Sequence, residues 1–217
     1  MHIVGHNSFA KMVLRQLPPG MISDRILFLA GNQIPDLATN KTLSHYRKSA
    51  SIQGLWVPDM EQVKKDLFIL EDPVRFGMYC HLYLDYHFIE NFLIPEFVWD
   101  VEKGKVRNPR NGKEWDAVEE FFSHESEKSM YAAYNEINPL LLRDGYISRS
   151  TIEEIPELLP ETGIPVFDAR REKTWKEELK GYLAKPKEYT GDIFDYDRLC
   201  GFIKKLAIKF VEEVTAT

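Results

Sequence analysis

A histidine and an aspartate interrupt an otherwise apolar and aromatic stretch, GMYCHLYLDYHFIENFL, which runs from Gly77 to Leu93. His81 and Asp85 are four residues apart, so a helix places both side chains on one face, one turn apart. Imidazole nitrogen and carboxylate oxygen are both good zinc ligands, and this pair would supply half of a four-coordinate site. A buried histidine hydrogen-bonded to an aspartate one turn away has the same spacing, so a metal-free polar pair in the core is the alternative.

Further candidate ligands precede this segment. Five of the six histidines lie within the first 87 residues. Asp36 and His45 belong to the stretch AGNQIPDLATNKTLSHYRK, in which Gly31 and Pro35 favour a loop. Together with His6, the first half of the chain therefore offers enough imidazoles and carboxylates to complete a site around the helical pair.

The other polar residues of this region have weaker claims. His87 is six residues after His81, which on a straight helix turns it by about 120°, so we expect it behind the ligands or at the surface. His124 lies in FFSHESEKS, which predicts a solvated position on a polar helical face. Arg47 would neutralise a phosphate oxygen, or form an ordinary surface salt bridge.

The order of these motifs resembles the zinc-dependent phospholipase C superfamily, which includes single-strand-specific nucleases. The matching stretches are GHNSFA, GNQIPDLATNKTLSHYR and GMYCHLYLD, and the resemblance covers residues 1–95. It implies an all-helical, phospholipase C-like bundle around a zinc cluster. By resemblance, Asp36, His45, His81 and Asp85 would hold one ion, and His6 with a bridging Asp85 would contribute to a second. The same resemblance makes Asp36 a candidate general base toward the bridging water.

Two departures from the family pattern affect the expected metal count. Secreted members bind zinc through a processed terminal amine and the carbonyl of a tryptophan, whereas this chain begins Met-His. His2, four residues before His6, is a candidate substitute. The later histidines that hold a third zinc in the family are missing, since only His87 and His124 remain. We therefore expect one or two ions.

Apolar periodicity and turn residues predict a mainly helical chain. The predicted helices are 4–17, a short helix capped by Ser23 and ending at Gly31, one beginning near Pro58, one from Asp72 to about Ile94, one from 115 to 142 with a break at Pro139, one capped by Ser150, and a final one over 196–214. The charged, turn-rich segment 96–113 predicts a loop or a small β-hairpin near 98–113.

Composition limits the function classes. The chain has 217 residues, of which 44% are hydrophobic, and this size fits one domain over 1–217. We expect that domain to be all-α and to comprise a metal-site half (1–95), the loop or hairpin (96–113) and a helical second half (114–217). A net charge of −6 argues against a protein that grips nucleic acid. The chain does not start like a signal peptide, and it has no run of roughly 18 to 20 consecutive apolar residues, the length that a membrane span needs. It has only two cysteines, which suits a reducing compartment. We therefore expect a cytoplasmic protein without a membrane span. The oligomeric state is not predictable.

These observations together predict a metal-dependent hydrolase that uses a metal-bound hydroxide on a phosphoester. The expected substrate is a small phosphoester, which includes lipid and nucleotide esters because metal ions recognise only the phosphate. The expected cofactor is one or two Zn²⁺ ions, although imidazole and carboxylate ligands also suit manganese and iron. The alternative is a non-catalytic helical protein in which a metal site supports the fold of a binding module.

Overall fold

The computed structural model describes residues 3–170, 175–184 and 188–216 of the chain. In these ranges the protein is mainly helical, with two small antiparallel sheets. The helices are α1 (Ile3–Gln16), α2 (Arg25–Gly31), α3 (Ile34–Leu37), α4 (Lys41–Ser44), α5 (Met60–Leu67), α6 (Pro73–Phe88), α7 (Ile94–Glu96), α8 (Met130–Arg143), α9 (Arg149–Glu154), α10 (Pro165–Asp168), α11 (Trp175–Ala184) and α12 (Tyr196–Thr215). Strands β1 (Arg47–Ser49) and β2 (Trp56–Pro58) form one hairpin, and β3 (Val98–Asp100), β4 (Lys105–Arg107) and β5 (Glu114–Asp116) form a meander.

Helix α6 lies at the centre of the fold. Its start follows the predicted pattern, because the Asp72 side chain accepts hydrogen bonds from the backbone N–H groups of Val74 and Arg75 and Pro73 occupies the first turn. Helices α1, α2, α3 and α5 pack against it, which explains why its side chains are buried on almost every face. Beyond Phe88 the helix widens into a π-helical turn, Ile89–Leu93, before α7 ends at Glu96.

Two glycines let α2 and α6 cross at very short range. A Cβ atom added to Gly31 would lie 2.0 Å from the carbonyl oxygen of Val74, and one added to Gly77 would lie 2.1 Å from that of Phe28. No side chain fits at either position without separating the two helices. The crossing places the residues that follow α2 beside the middle of α6.

We expect Gly77→Ala to destabilise the protein by about 3 kcal/mol or more, because the added methyl group meets backbone that cannot move alone. Gly201→Ala in α12 is the matched control, since its Cβ would have no atom within 4 Å. That control should be neutral or slightly stabilising, because alanine favours a helix over glycine. Urea unfolding measures both; equal stability of the two variants would contradict the close crossing.

The middle of the chain departs from the sequence prediction. The hairpin expected near 98–113 is present as β3 and β4. The single helix expected from Trp115 is instead a short π-helical turn, Ala117–Phe121, followed by an irregular segment and by α8, which begins at Met130. Trp115 instead lies in β5 opposite Val106, and its buried ring packs on Phe97 and Phe121. Aromatic packing across the strands therefore overrides the local helical pattern.

Three helix-boundary predictions were wrong in detail. Pro139 does not break α8, because the buried side chains of Ile137 and Leu141 hold the turns on both sides in the core. The first short helix is capped by Asp24 and α9 by Ser148, rather than by Ser23 and Ser150. The β1–β2 hairpin was not predicted at all.

Buried apolar side chains from both halves of the chain form one core cluster. Among the described residues, no helix combines the length and apolar character needed to cross a lipid bilayer.

Candidate functional site: a buried histidine–aspartate cluster

The structure brings together all five residues predicted as metal ligands. His6 lies on α1, Asp36 on α3, His45 directly after α4, and His81 and Asp85 one turn apart on α6. We call these five residues the histidine–aspartate cluster. The short helices α3 and α4 replace the loop that was predicted for Asp36 and His45.

Four side-chain atoms of the cluster approach one another closely. Oδ2 of Asp85 lies 3.5 Å from Nε2 of His81 and 3.6 Å from Nε2 of His45. Oδ1 of Asp36 lies 3.6 Å from Nε2 of His45 and 4.0 Å from Nε2 of His81. Ligands at ordinary Zn–N and Zn–O distances around a tetrahedral ion lie roughly 3.3–3.6 Å apart. These buried groups can therefore hold a metal ion.

Asp85 faces two directions. Its Oδ1 lies 3.2 Å from Nε2 of His6, whereas its Oδ2 points at His45 and His81. The rings of His6 and His81 are stacked in parallel, with centroids 3.5 Å apart and an angle of 4°. One oxygen of Asp85 thus faces His6 and the other faces His45 and His81, which is the arrangement of a carboxylate that bridges two metal ions. His6, Asp36 and His81 form a second set of potential ligand atoms within 4.8 Å of one another.

Hydrogen bonds fix the tautomers of two of the histidines. Nδ1 of His81 lies 2.8 Å from the backbone carbonyl oxygen of Asn32, which can only accept, so Nδ1 carries the proton. The Ser44 hydroxyl donates its one hydrogen to the carbonyl of Pro35, so at 2.9 Å it accepts a hydrogen bond from Nδ1 of His45. With Nδ1 as the donor, the neutral form of each ring presents an Nε2 lone pair to the cluster, which is how metal-binding histidines are usually oriented.

A bound cation would give Nε2 of His81 a partner that the side chains of the described residues do not provide. Nε2 of His81 is fully buried and makes no hydrogen bond with any group in the described ranges. Its lone pair faces carboxylate oxygens, which also carry lone pairs, so the contact is repulsive unless a proton or a cation lies between them. The chemistry of the donors thus fits a divalent metal.

The charge states of the cluster also suit metal binding. Burial and the neighbouring His81 lower the pKa of His6 to about 4, and burial lowers the pKa of His45. Burial alone would raise the pKa of Asp36, but His81, His45 and Lys41 hold it well below its usual range. The pKa of Asp85 is also held well below its usual range, with His6 and His81 opposing the effect of its burial. At neutral pH the carboxylates are ionised and the imidazoles of His6 and His45 are neutral, as metal ligation requires.

The cluster opens onto a cavity of about 840 Å³. Asp36, His45 and Asp85 line it, and Lys41 and Arg47 add two cationic groups. Its remaining lining is largely apolar or aromatic and includes Leu55, Trp56, Phe88, Ile89, Phe122, Met130, Tyr131 and Tyr134. The cavity gives a ligand access to one side of the cluster.

Sequence reasoning missed the contribution of the second half of the chain. Tyr131, Tyr134 and Asn135 line the cavity from the start of α8. Their spacing of three and four residues predicts one helical face, but no local signal shows which cavity that face meets. Trp56 of the unpredicted hairpin is half exposed on the same cavity.

Two further histidines, His87 and His124, lie outside the cluster. His87 is buried behind it, where its Nδ1 lies 2.6 Å from Nδ2 of Asn91 and its ring packs on Tyr83. His124 is exposed, as predicted, but it lies in an irregular segment and its ring stacks on Tyr131 with centroids 3.6 Å apart. His2 falls outside the described residues.

No protein-family model, no curated protein and no solved structure matches this chain. The resemblance to the phospholipase C superfamily therefore stays a prediction, and any functional assignment depends on the geometry of the cluster and its cavity.

Proposed function

We propose that the protein is a metal-dependent phosphoester hydrolase whose histidine–aspartate cluster binds one or two Zn²⁺ ions. We propose further that its helices form a bundle of the zinc-dependent phospholipase C type. One observation carries the proposal: imidazole lone pairs and ionised carboxylates converge at ligand spacing on a point that opens into a cavity. Catalytic zinc sites keep a position open for water or substrate, whereas structural sites are closed by protein ligands.

Metal ions bound in such a site supply a hydroxide nucleophile near neutral pH and neutralise charge on a phosphoryl group. The protein's own contribution is to hold its ligands rigidly. The carbonyl of Asn32 and the hydroxyl of Ser44 orient the rings of His81 and His45, and Asp85 ties α1 to α6 through His6.

Asp36 is the proposed proton acceptor. Its Oδ1 faces His45 and His81 and lies 3.2 Å from Nζ of Lys41, which also contacts the backbone carbonyls of Pro35 and Asp36. Its Oδ2 makes no hydrogen bond or ion pair within the described part of the chain, and the residue lines the cavity. The depressed pKa keeps Asp36 ionised at neutral pH, so Oδ2 is able to accept a proton from a nucleophilic water.

The test is a substrate panel offered to metal-loaded, chelated and reloaded protein. We expect turnover of at least one of 4-nitrophenyl phosphate, bis(4-nitrophenyl) phosphate, nitrophenyl phosphorylcholine and single-stranded DNA, lost on chelation and restored by Zn²⁺. Metal-loaded protein that is silent on the whole panel would contradict catalysis and favour a structural metal site. Because the net charge of the chain is −6 and DNA is a polyanion, we expect turnover of the small esters rather than of DNA.

A further inference from the structure

A strained backbone residue places Arg47 on the wall of the cavity, beside the cluster. Tyr46 has φ of +46° and is the only non-glycine residue with positive φ among those described. Its ring packs on Phe167 and does not line the cavity, whereas the residues on either side of it, His45 and Arg47, both do. Such a conformation is unfavourable for a bulky side chain and is found mainly where function or packing requires it. Here the conformation of Tyr46 lets the imidazole of His45 and the guanidinium of Arg47 both line the cavity.

Arg47 differs from the basic residues around it. Nζ of Lys48 lies 3.1 Å from Asp59, and Nζ of Lys41 lies 3.2 Å from Asp36. Arg47 is exposed and forms no ion pair with any acidic side chain in the described ranges, although the chain contains 34 aspartate and glutamate residues. Its charge is thus available to a ligand in the cavity.

Tyr131 provides a second indication that Arg47 and the cluster act on the same space. Burial raises the pKa of this phenol, Arg47 lowers it, and Asp36 and Asp85 raise it. Tyr131 lines the cavity together with Arg47, Asp36 and Asp85, so the phenol, the guanidinium and both carboxylates face the same space. The Tyr131 hydroxyl itself makes no hydrogen bond within the residues that the structure describes.

We propose that Arg47 binds the phosphoryl group of the substrate and makes the site selective for phosphomonoesters, an inference that rests on the proposed hydrolase function. A phosphomonoester is a dianion with three non-bridging oxygens, whereas a phosphodiester is a monoanion with two. The guanidinium offers two parallel donors that match phosphate oxygens, so it favours the ester with an additional oxygen and an additional charge.

The experiment compares Arg47→Ala and Arg47→Lys with wild-type protein and with Lys48→Ala. Lys48→Ala is the matched control, because it removes one positive charge from the adjacent residue, whose side chain is held by Asp59. Bound zinc, the dissociation constant of inorganic phosphate, and kcat/KM for 4-nitrophenyl phosphate and bis(4-nitrophenyl) phosphate are measured on each zinc-loaded protein.

We expect Arg47→Ala to retain zinc but to weaken phosphate binding by about tenfold to a hundredfold, the loss of a charge-assisted hydrogen bond. The ratio of monoester to diester kcat/KM should fall by a similar factor. Arg47→Lys should recover part of both losses, because it restores the charge without the paired donors. Lys48→Ala should match wild type in every measurement.

Arg47→Ala that binds phosphate like wild type, or that loses monoester and diester turnover equally, would overturn the assignment of Arg47. So would wild-type protein that cleaves only diesters, or an equal loss in Lys48→Ala. Each of these results leaves the hydrolase proposal intact. Zinc-loaded wild-type protein that neither binds phosphate nor turns over any ester overturns both proposals.

Discussion

Replacement of Asp85 by asparagine is expected to lower zinc affinity by about a hundredfold or more and to abolish ester turnover. Asp85 is the residue whose two oxygens face three imidazoles, with separations between 3.2 and 3.6 Å. Asparagine keeps the shape of the side chain but removes its charge and turns one oxygen into an amide nitrogen, which cannot ligate a metal. Competition against a zinc-chelating dye measures the affinity.

His87→Ala is the control for this substitution. His87 is two residues further along α6 and also buried, but its ring contacts Tyr83 and Asn91 behind the cluster. The His87→Ala variant should therefore bind zinc with the affinity of the wild-type protein. An Asp85→Asn variant that binds zinc as tightly as wild type would show that His81 and Asp85 are a metal-free polar pair in the core.

Zinc loading is expected to raise the thermal unfolding midpoint by about 10 °C. A ligand at a thousand times its dissociation constant stabilises the folded state by about 4 kcal/mol, provided that the unfolded chain does not bind it. For a protein of this size each kcal/mol shifts the midpoint by about 2–4 °C. The effect follows from burial, since Nε2 of His81 is fully buried and makes no hydrogen bond in the described ranges, so that a bound metal ion gives it a partner.

Calorimetric scans of chelated and reloaded protein measure the shift. At the same zinc concentration, an Asp85→Asn site with a hundredfold lower affinity gains only about 1.4 kcal/mol, so its midpoint should rise by about 3–6 °C, and by less if the affinity falls further. An equal shift in wild type and Asp85→Asn would assign the stabilisation to zinc bound elsewhere on the surface.

The sequence predicted the centre of the fold because local rules determine it. Asp72 and Pro73 mark the start of α6, and the spacing of His81 and Asp85 puts them on one face of any helix. The structure brings Asp36 and His45 to that face, in agreement with the order of motifs. Their distances to α6 were not predictable, because they depend on the close crossing of α2 and α6.

The rest of the site depends on contacts that are distant in sequence. Tyr131 and Tyr134 reach the cavity because α8 packs near α1 and the core, which no local pattern shows. Trp115 was predicted in a helix and lies in a strand, because its neighbours across the sheet determine its conformation. The left-handed conformation of Tyr46, which places Arg47 on the cavity, has no sequence signal such as glycine or asparagine.

The central claim is that the histidine–aspartate cluster binds metal, and the metal content of the purified protein tests it most directly. Elemental analysis of protein expressed in medium supplemented with zinc, manganese and iron should find one or two divalent ions per chain, with zinc predominant. The same analysis of His81→Ala should find a loss of at least one ion. Folded wild-type protein that carries no stoichiometric metal, even after reconstitution with zinc, would contradict the account.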